Sequence, residues 1–272
     1  MRSGAWRRAA AAAGLVASAC VVACSSSSSS SKPAAKTSAE VLLNERMAAV
    51  LLSEGQAADA ERAYREVLKD DPNNPDLYDG LGSSLLMQGR AKDAVESFEK
   101  AVKMSPKKAS FRINRGLAYM ELSRYAEAEE DFRVADASSL PDDRLAAAIN
   151  RGRLRQMQGD FTGAEEQFAT ALSRDPNSYA AHLGRGVARE ARGELSSAAE
   201  DYLEAVRIQP RSADANLRLG LTLLELNRGS LGCRYLERAI EIDPGGDVGS
   251  KARMVMSSTP PPCERSASNK AS

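Results

Sequence analysis

Few residues in this chain could do covalent or acid–base chemistry. There is one histidine, His182, and there are four cysteines, Cys20, Cys24, Cys233 and Cys263. A lone histidine offers neither a set of metal ligands nor a paired nucleophile and base. The chain has no Cys-x-x-Cys, no glycine-rich phosphate loop after a strand and no nucleophile–base–orienter set. Its Asp and Glu residues are scattered along helical patterns and read as solvated faces. These absences argue against an enzyme and against a cofactor, a metal or a small-molecule substrate. They turn attention to the cysteines and to the elements that place them.

Cys24 follows a short apolar stretch and precedes seven serines, in Val21-Val22-Ala23-Cys24-Ser25. Upstream, Arg2, Arg7 and Arg8 form a basic start. Residues 9–22 are apolar over the length of a signal-peptide core, too short to span a bilayer comfortably. The stretch Val21-Val22-Ala23-Cys24 resembles a bacterial lipobox. That resemblance implies cleavage after residue 23, acylation of Cys24 and a signal peptide over 1–23. Cys20, preceded by Ala17-Ser18-Ala19, fits the pattern less well, and an ordinary secretory signal cleaved at a small-residue site is the alternative. Seven serines have no apolar surface with which to offset the entropy of ordering. Residues 24–40 are therefore expected to be a flexible tether between acyl chains and a folded domain. Ser25 in place of Asp implies, by resemblance to Gram-negative lipoproteins, the periplasmic face of the outer membrane.

The full chain carries 37 basic and 37 acidic residues, and removing residues 1–23 takes away three arginines and no acid. A slightly acidic mature chain gives no electrostatic footprint for nucleic acid. Aromatic residues make up 5% of the chain, low for a β-rich protein, whereas Ala, Leu, Glu and Arg favour helices.

A repeat of about 34 residues runs through the chain. Small residues recur at Ala48, Gly82, Gly116, Gly152, Gly186 and Gly220, and again at Ala60, Ala94, Ala128, Ala164, Ala198 and Gly232. A bulky series is Tyr64, Phe98, Phe132, Phe168, Tyr202 and Leu236, followed by Val67, Ala101, Ala135, Ala171, Ala205 and Ala239. Pro72, Pro106, Pro176, Pro210 and Pro244 close five of the six units. All the series lengthen together in the third unit.

In residues 75–108, Tyr78, Leu81, Gly82, Leu85, Ala94, Phe98, Ala101 and Pro106 resemble the tetratricopeptide repeat signature. The resemblance implies an all-α superhelical solenoid of six helix–turn–helix repeats, over 41–74, 75–108, 109–144, 145–178, 179–212 and 213–246. A capping helix is expected over 247–256 and a disordered tail over 257–272. Gly82 and Ala94 are small where helices cross, Phe98 fills the space between them, and Pro106 ends the second helix. His182 stands where a bulky packing residue is usual and reads as structural. The two extra residues of the third unit, with Leu140-Pro141 in place of the closing Pro, are expected to loosen its joint to the fourth. Gly232 is expected to let whatever follows approach closely.

In this family the fifth and ninth residues of each first helix line the concave face. Here they are Glu45/Ala49, Asp79/Ser83, Ile113/Leu117, Ile149/Arg153, Leu183/Val187 and Leu217/Leu221. The Lys and Asn clamp of chaperone-binding members is absent. An aliphatic stripe extended by Met120 and Leu224 takes its place. Part-exposed, it would mark a partner site for an amphipathic helix or an apolar strand; buried by its neighbours, it would be core. If Cys24 is acylated and Cys20 removed, Cys233 and Cys263 are the remaining thiols of an exported chain and are expected to pair. That bond would close a loop otherwise costing roughly 3–4 kcal/mol in entropy.

Six repeats, a lipobox and a lengthened third unit together resemble the outer-membrane pilotins of type IV pili, the PilF, PilW and Tgl group. The segment "YAEAEEDFRVADASSLPDDRLAAAINRG" carries much of this likeness. The resemblance implies a lipoprotein that holds apolar segments of secretin subunits until they assemble. The lipoprotein of the tight-adherence pilus and a general envelope scaffold for peptidoglycan synthases or other enzymes are the alternatives.

Overall fold

Each repeat is built around one turn. At the turn between its two helices the backbone enters the left-handed region, at Gly55, Gly89, Ser123, Gly159, Gly193 and Asn227, with φ between 57° and 78°. This series keeps the spacing of the others, and glycine holds four of its six places because only glycine adopts that conformation at no steric cost. The computed structural model describes residues 37–258. Among them the chain is all helix, in six hairpins and a final helix. The hairpins are α1 (Ser38–Ser53) with α2 (Ala57–Asp70), α3 (Pro75–Met87) with α4 (Ala91–Met104), and α5 (Ala109–Glu121) with α6 (Tyr125–Ala135). They continue as α7 (Pro141–Met157) with α8 (Phe161–Arg174), α9 (Tyr179–Ala191) with α10 (Leu195–Ile208), and α11 (Ala213–Glu225) with α12 (Gly229–Ile242). Helix α13 (Asp247–Ser258) follows.

Helix ends follow from local sequence. Thr37 caps α1 in a reciprocal capping box with Glu40, whose carboxylate accepts from the Thr37 N–H at 2.7 Å. Helix α1 thus begins inside the segment expected to be tether. Asn74, Asp160 and Ser212 cap α3, α8 and α11 through their side chains. The five periodic prolines each lie two residues beyond a second helix, where a missing N–H costs nothing.

The small and bulky series meet as the hairpin cores. A Cβ placed on Gly82, Gly116, Gly152 or Gly186 would lie 2.6, 2.6, 2.7 and 2.6 Å from the ring of Phe98, Phe132, Phe168 and Tyr202, closer than real contacts allow. Each ring is fully buried. In the sixth hairpin Leu236 replaces the ring. There a Cβ on Gly232 would lie 2.8 Å from the Gly220 carbonyl oxygen. Gly232 therefore serves the crossing of α12 with its own partner α11, and not the approach of the following segment.

The third joint is redistributed and not loosened. Helix α6 has 11 residues against 14 in α4 and α8, while α7 has 17 and starts at Pro141, before the expected boundary at 145. Proline is suited to that first helical position. Helix α7 packs less on α6 and more on α5 than its counterparts do. Ala147 and Leu154 of α7 join the same buried cluster as Phe132 and Ala135, so the core runs through the joint. Arg174 also reaches back to Asp136 at 2.6 Å.

Candidate functional site: the first-helix face

The concave side is expected on the first helices of the hairpins. The stripe lies on these helices: Ile113, Leu117 and Met120 on α5, Ile149 on α7, Leu183 and Val187 on α9, and Leu217, Leu221 and Leu224 on α11. Its exposure divides it. Leu117, Ile149, Leu183, Val187, Leu221 and Leu224 are half-buried, each with one side on a core cluster. Ile113, Met120 and Leu217 are buried, at 8%, 7% and 5% exposure, which corrects the expectation that the whole stripe is part-exposed.

The causes are specific. Met120 is absorbed into the cluster that runs from the first hairpin to α7, together with Ile113. Leu224, at the equivalent place in the sixth hairpin, points at α12, where its side chain lies 3.0 Å from the position of a Cβ on Gly232. Leu217 is covered by the final helix: it shares a cluster with Leu236, Ala239 and Ala252, flanked by Val248, Val255 and Met256 of α13. The part-buried members of the stripe outside the α11–α13 cluster are Leu117, Ile149, Leu183 and Val187.

The N-terminal end of the same face is acidic. Asp79 of α3 accepts from the Asn114 side-chain amide of α5 at 2.9 and 3.1 Å. Burial pushes the Asp79 carboxyl up to about 6, with Asn114 and Lys108 pulling the other way. Tyr64 of α2 is pushed up by burial, with Asp79 and Glu45 adding to it.

Three carboxylates depart from the reading of scattered solvated acids: Asp79, and more strongly Asp131 and Asp201, which are each 2% exposed. Asp131 and Asp201 occupy equivalent places, one residue before the core aromatic of hairpins three and five. Asp131 receives Arg115 at 2.7 Å through two nitrogens and Arg112 at 3.3 Å. Asp201 receives Arg185 at 2.7 Å, Arg189 at 2.9 Å and the His182 ring at 3.3 Å. Charges this deep persist only when paired and hydrogen-bonded. The signal was present in sequence as Asp before Phe or Tyr, with Arg on the facing helix.

His182 is engaged on both sides. Its Nε2 donates to the Pro176 carbonyl at 3.0 Å while Nδ1 faces Asp201. Arg112 and Asn216 hold the equivalent places and donate to Pro106 and Pro210 at 3.4 and 3.3 Å. In hairpins three, five and six this position ties the first helix to the carbonyl of the proline that ends the previous hairpin. Cys233 is buried on α12 at 1% exposure, while Cys24 and Cys263 lie outside the described residues. No cluster of His, Cys, Asp and Glu among the described residues could hold a metal ion, and no described helix is long and apolar enough to cross a membrane. A cleft of about 170 Å³ lies away from the stripe, between the second helices α10 and α12 over Leu219 and Leu223.

Stacked helical hairpins of this repeat type form protein-interaction scaffolds. The sequence pattern of the tetratricopeptide repeat matches residues 46–109, 80–142, 149–213 and 198–247, and the chain belongs to that family. No curated protein matches its sequence. Among solved structures it is similar to PilW, described as a widely conserved type IV pilus biogenesis factor, with 20% identity and a TM-score of 0.69. That match covers 79% of this chain and 99% of PilW. It is also similar to Pseudomonas aeruginosa PilF, at 19% identity and a TM-score of 0.65, covering 79% and 96% of the two chains. A repeat protein from Parabacteroides merdae is similar at 18% identity and a TM-score of 0.63, over 79% and 84%. At these identities the likeness shows the fold.

Proposed function

We propose that this protein is an outer-membrane lipoprotein that acts as a pilotin, promoting assembly or insertion of a type IV pilus secretin. Acyl chains on Cys24 hold the solenoid at the periplasmic face of the membrane. The open apolar face around Leu117, Ile149, Leu183 and Val187 receives an apolar secretin segment and releases it on assembly. The observation that carries this reading is the near-complete coverage of PilW and PilF, at 99% and 96%, by a chain that also bears a lipobox-like Cys24. The half-burial of the four central side chains supports it, since such groups can exchange water for a partner without dismantling the core.

The test combines gene deletion with anchor loss. Deletion should abolish heat-resistant secretin multimers on an immunoblot. Cys24→Ala should end labelled palmitate incorporation and move the protein off the membrane, with multimers falling in parallel. Normal multimers in the deletion strain would overturn the reading, and loss of envelope enzyme activity with pili intact would favour the general scaffold.

A further inference from the structure

Helix α1 is apolar on two sides. Ala48 is fully buried, and Val41, Leu51 and Leu52 pack with it on the core. The opposite side carries Leu43, Met47 and Val50 in one stripe, exposed by 61%, 54% and 48%, with Leu42 beside them at 46%. The other first helices are packed between a preceding and a following hairpin, and α13 closes the far end. A terminal repeat normally turns a polar face outward. Here the outward face is apolar along Leu43, Met47 and Val50, with exposed Arg46, Glu40 and Glu54 around the stripe.

We propose that the outer face of α1 rests on the lipid surface to which the chain is anchored; the anchor itself rests on the reading of Cys24 above. Three observations select lipid over other occupants. Thr37 is 13 residues from Cys24, so the start of α1 lies within about 45 Å of the acylated residue in any conformation. The intervening segment is mostly serine and has nothing apolar enough to cover the face itself. Four half-exposed side chains present a patch on the order of 400 Å², about half of what one partner contributes to a standard protein interface. A bilayer needs no shape complement, accepts Leu, Met and Val below the headgroups and leaves the flanking charged side chains at the headgroup level. The solenoid then stands with its first hairpin on the membrane and the open face of hairpins three to five away from it.

The test uses the full-length chain purified from membranes, with one tryptophan. Trp6 is the sole native tryptophan and lies within the predicted signal peptide, so the mature chain lacks one. Leu43→Trp places a reporter on the face, and Met254→Trp, on exposed α13, is the control. Each is reconstituted into vesicles of phosphatidylethanolamine, phosphatidylglycerol and phosphatidylcholine, with plain or brominated acyl chains. Brominated lipid should quench the residue 43 reporter about twofold and leave the residue 254 reporter nearly unchanged. No quenching at 43, or equal quenching at both, overturns the proposal, and a doubled mass on gel filtration without quenching assigns the face to a second copy. Mass spectrometry of Cys24 in the same samples reads the anchor separately. An unacylated chain, carrying Trp6→Phe so that residue 43 stays the single reporter, whose fluorescence is quenched on adding vesicles refutes the anchor and supports the face. An acylated chain with no quenching does the reverse.

Discussion

Replacing Asp79 by asparagine isolates a cost that the fold carries at neutral pH. Asp79 lies half-buried on the first-helix face, and burial raises its carboxyl from the ordinary 3.8 to about 6 despite the Asn114 amide. A raised carboxyl is easier to accommodate protonated than ionised. Its contribution is fully favourable below pH 3.8 and is lost as pH rises through about 6. Two pH units at about 1.4 kcal/mol each set the penalty above pH 7 at roughly 3 kcal/mol, an upper bound because local relaxation and water reduce it. An asparagine in this place keeps an oxygen for the Asn114 amide and has no charge to desolvate. Asp79→Asn should therefore stabilise the domain by about 2–3 kcal/mol at pH 7.5, or some 5–10 °C in melting temperature, and by almost nothing at pH 4. Thermal circular dichroism at pH 4, 6 and 7.5 checks this. A gain of equal size at all three pH values, or a loss at pH 7.5, would show that the buried Asp79 charge is not a cost to the fold.

Ser123 holds a left-handed turn that glycine fills in four other hairpins, so Ser123→Gly should raise stability by up to about 1 kcal/mol in urea unfolding, while Gly159→Ser should lower it similarly. His182→Asn should be tolerated within about 1 kcal/mol, because Asn216 makes the same bond one hairpin later, whereas His182→Ala should cost about 1–3 kcal/mol by leaving the Pro176 carbonyl unpaired and Asp201 with one donor fewer. Cys233 and Cys263 are expected to be joined, and a non-reducing mass spectrum of the mature chain should find neither as a free thiol.

The fold was legible because its determinants are local and repeated. Gly82 and Phe98 specify one another across a hairpin, and the same pair recurs as Gly116 and Phe132, Gly152 and Phe168, Gly186 and Tyr202. The turn series was harder to see: Ser123 and Asn227 interrupt the glycines, and only the backbone shows that all six share a conformation. The candidate face was legible in position but not in exposure. Whether Leu217 is open depends on α13 folding over α11, and whether Ile113 is open depends on how closely hairpins two to four wind together. Neither is a property of the residue or its spacing. The buried carboxylates were missed for a related reason. Asp131 and Asp201 look like surface acids in a helical pattern until Arg115 and Arg185 are placed against them from the facing helix.

The most direct measurement is secretin multimer formation in strains carrying Leu183→Gln or Leu117→Gln, with Phe168→Ala as the folding control. The two face variants alter half-buried side chains and should cost about 1–2 kcal/mol, leaving helical circular dichroism and membrane location intact. Phe168 is fully buried, and its truncation should cost about 3–5 kcal/mol and lower the level of folded protein. Multimers should disappear in both face variants at wild-type levels of folded protein. Multimers that persist in those variants, with the protein folded and in place, would contradict partner binding through this face.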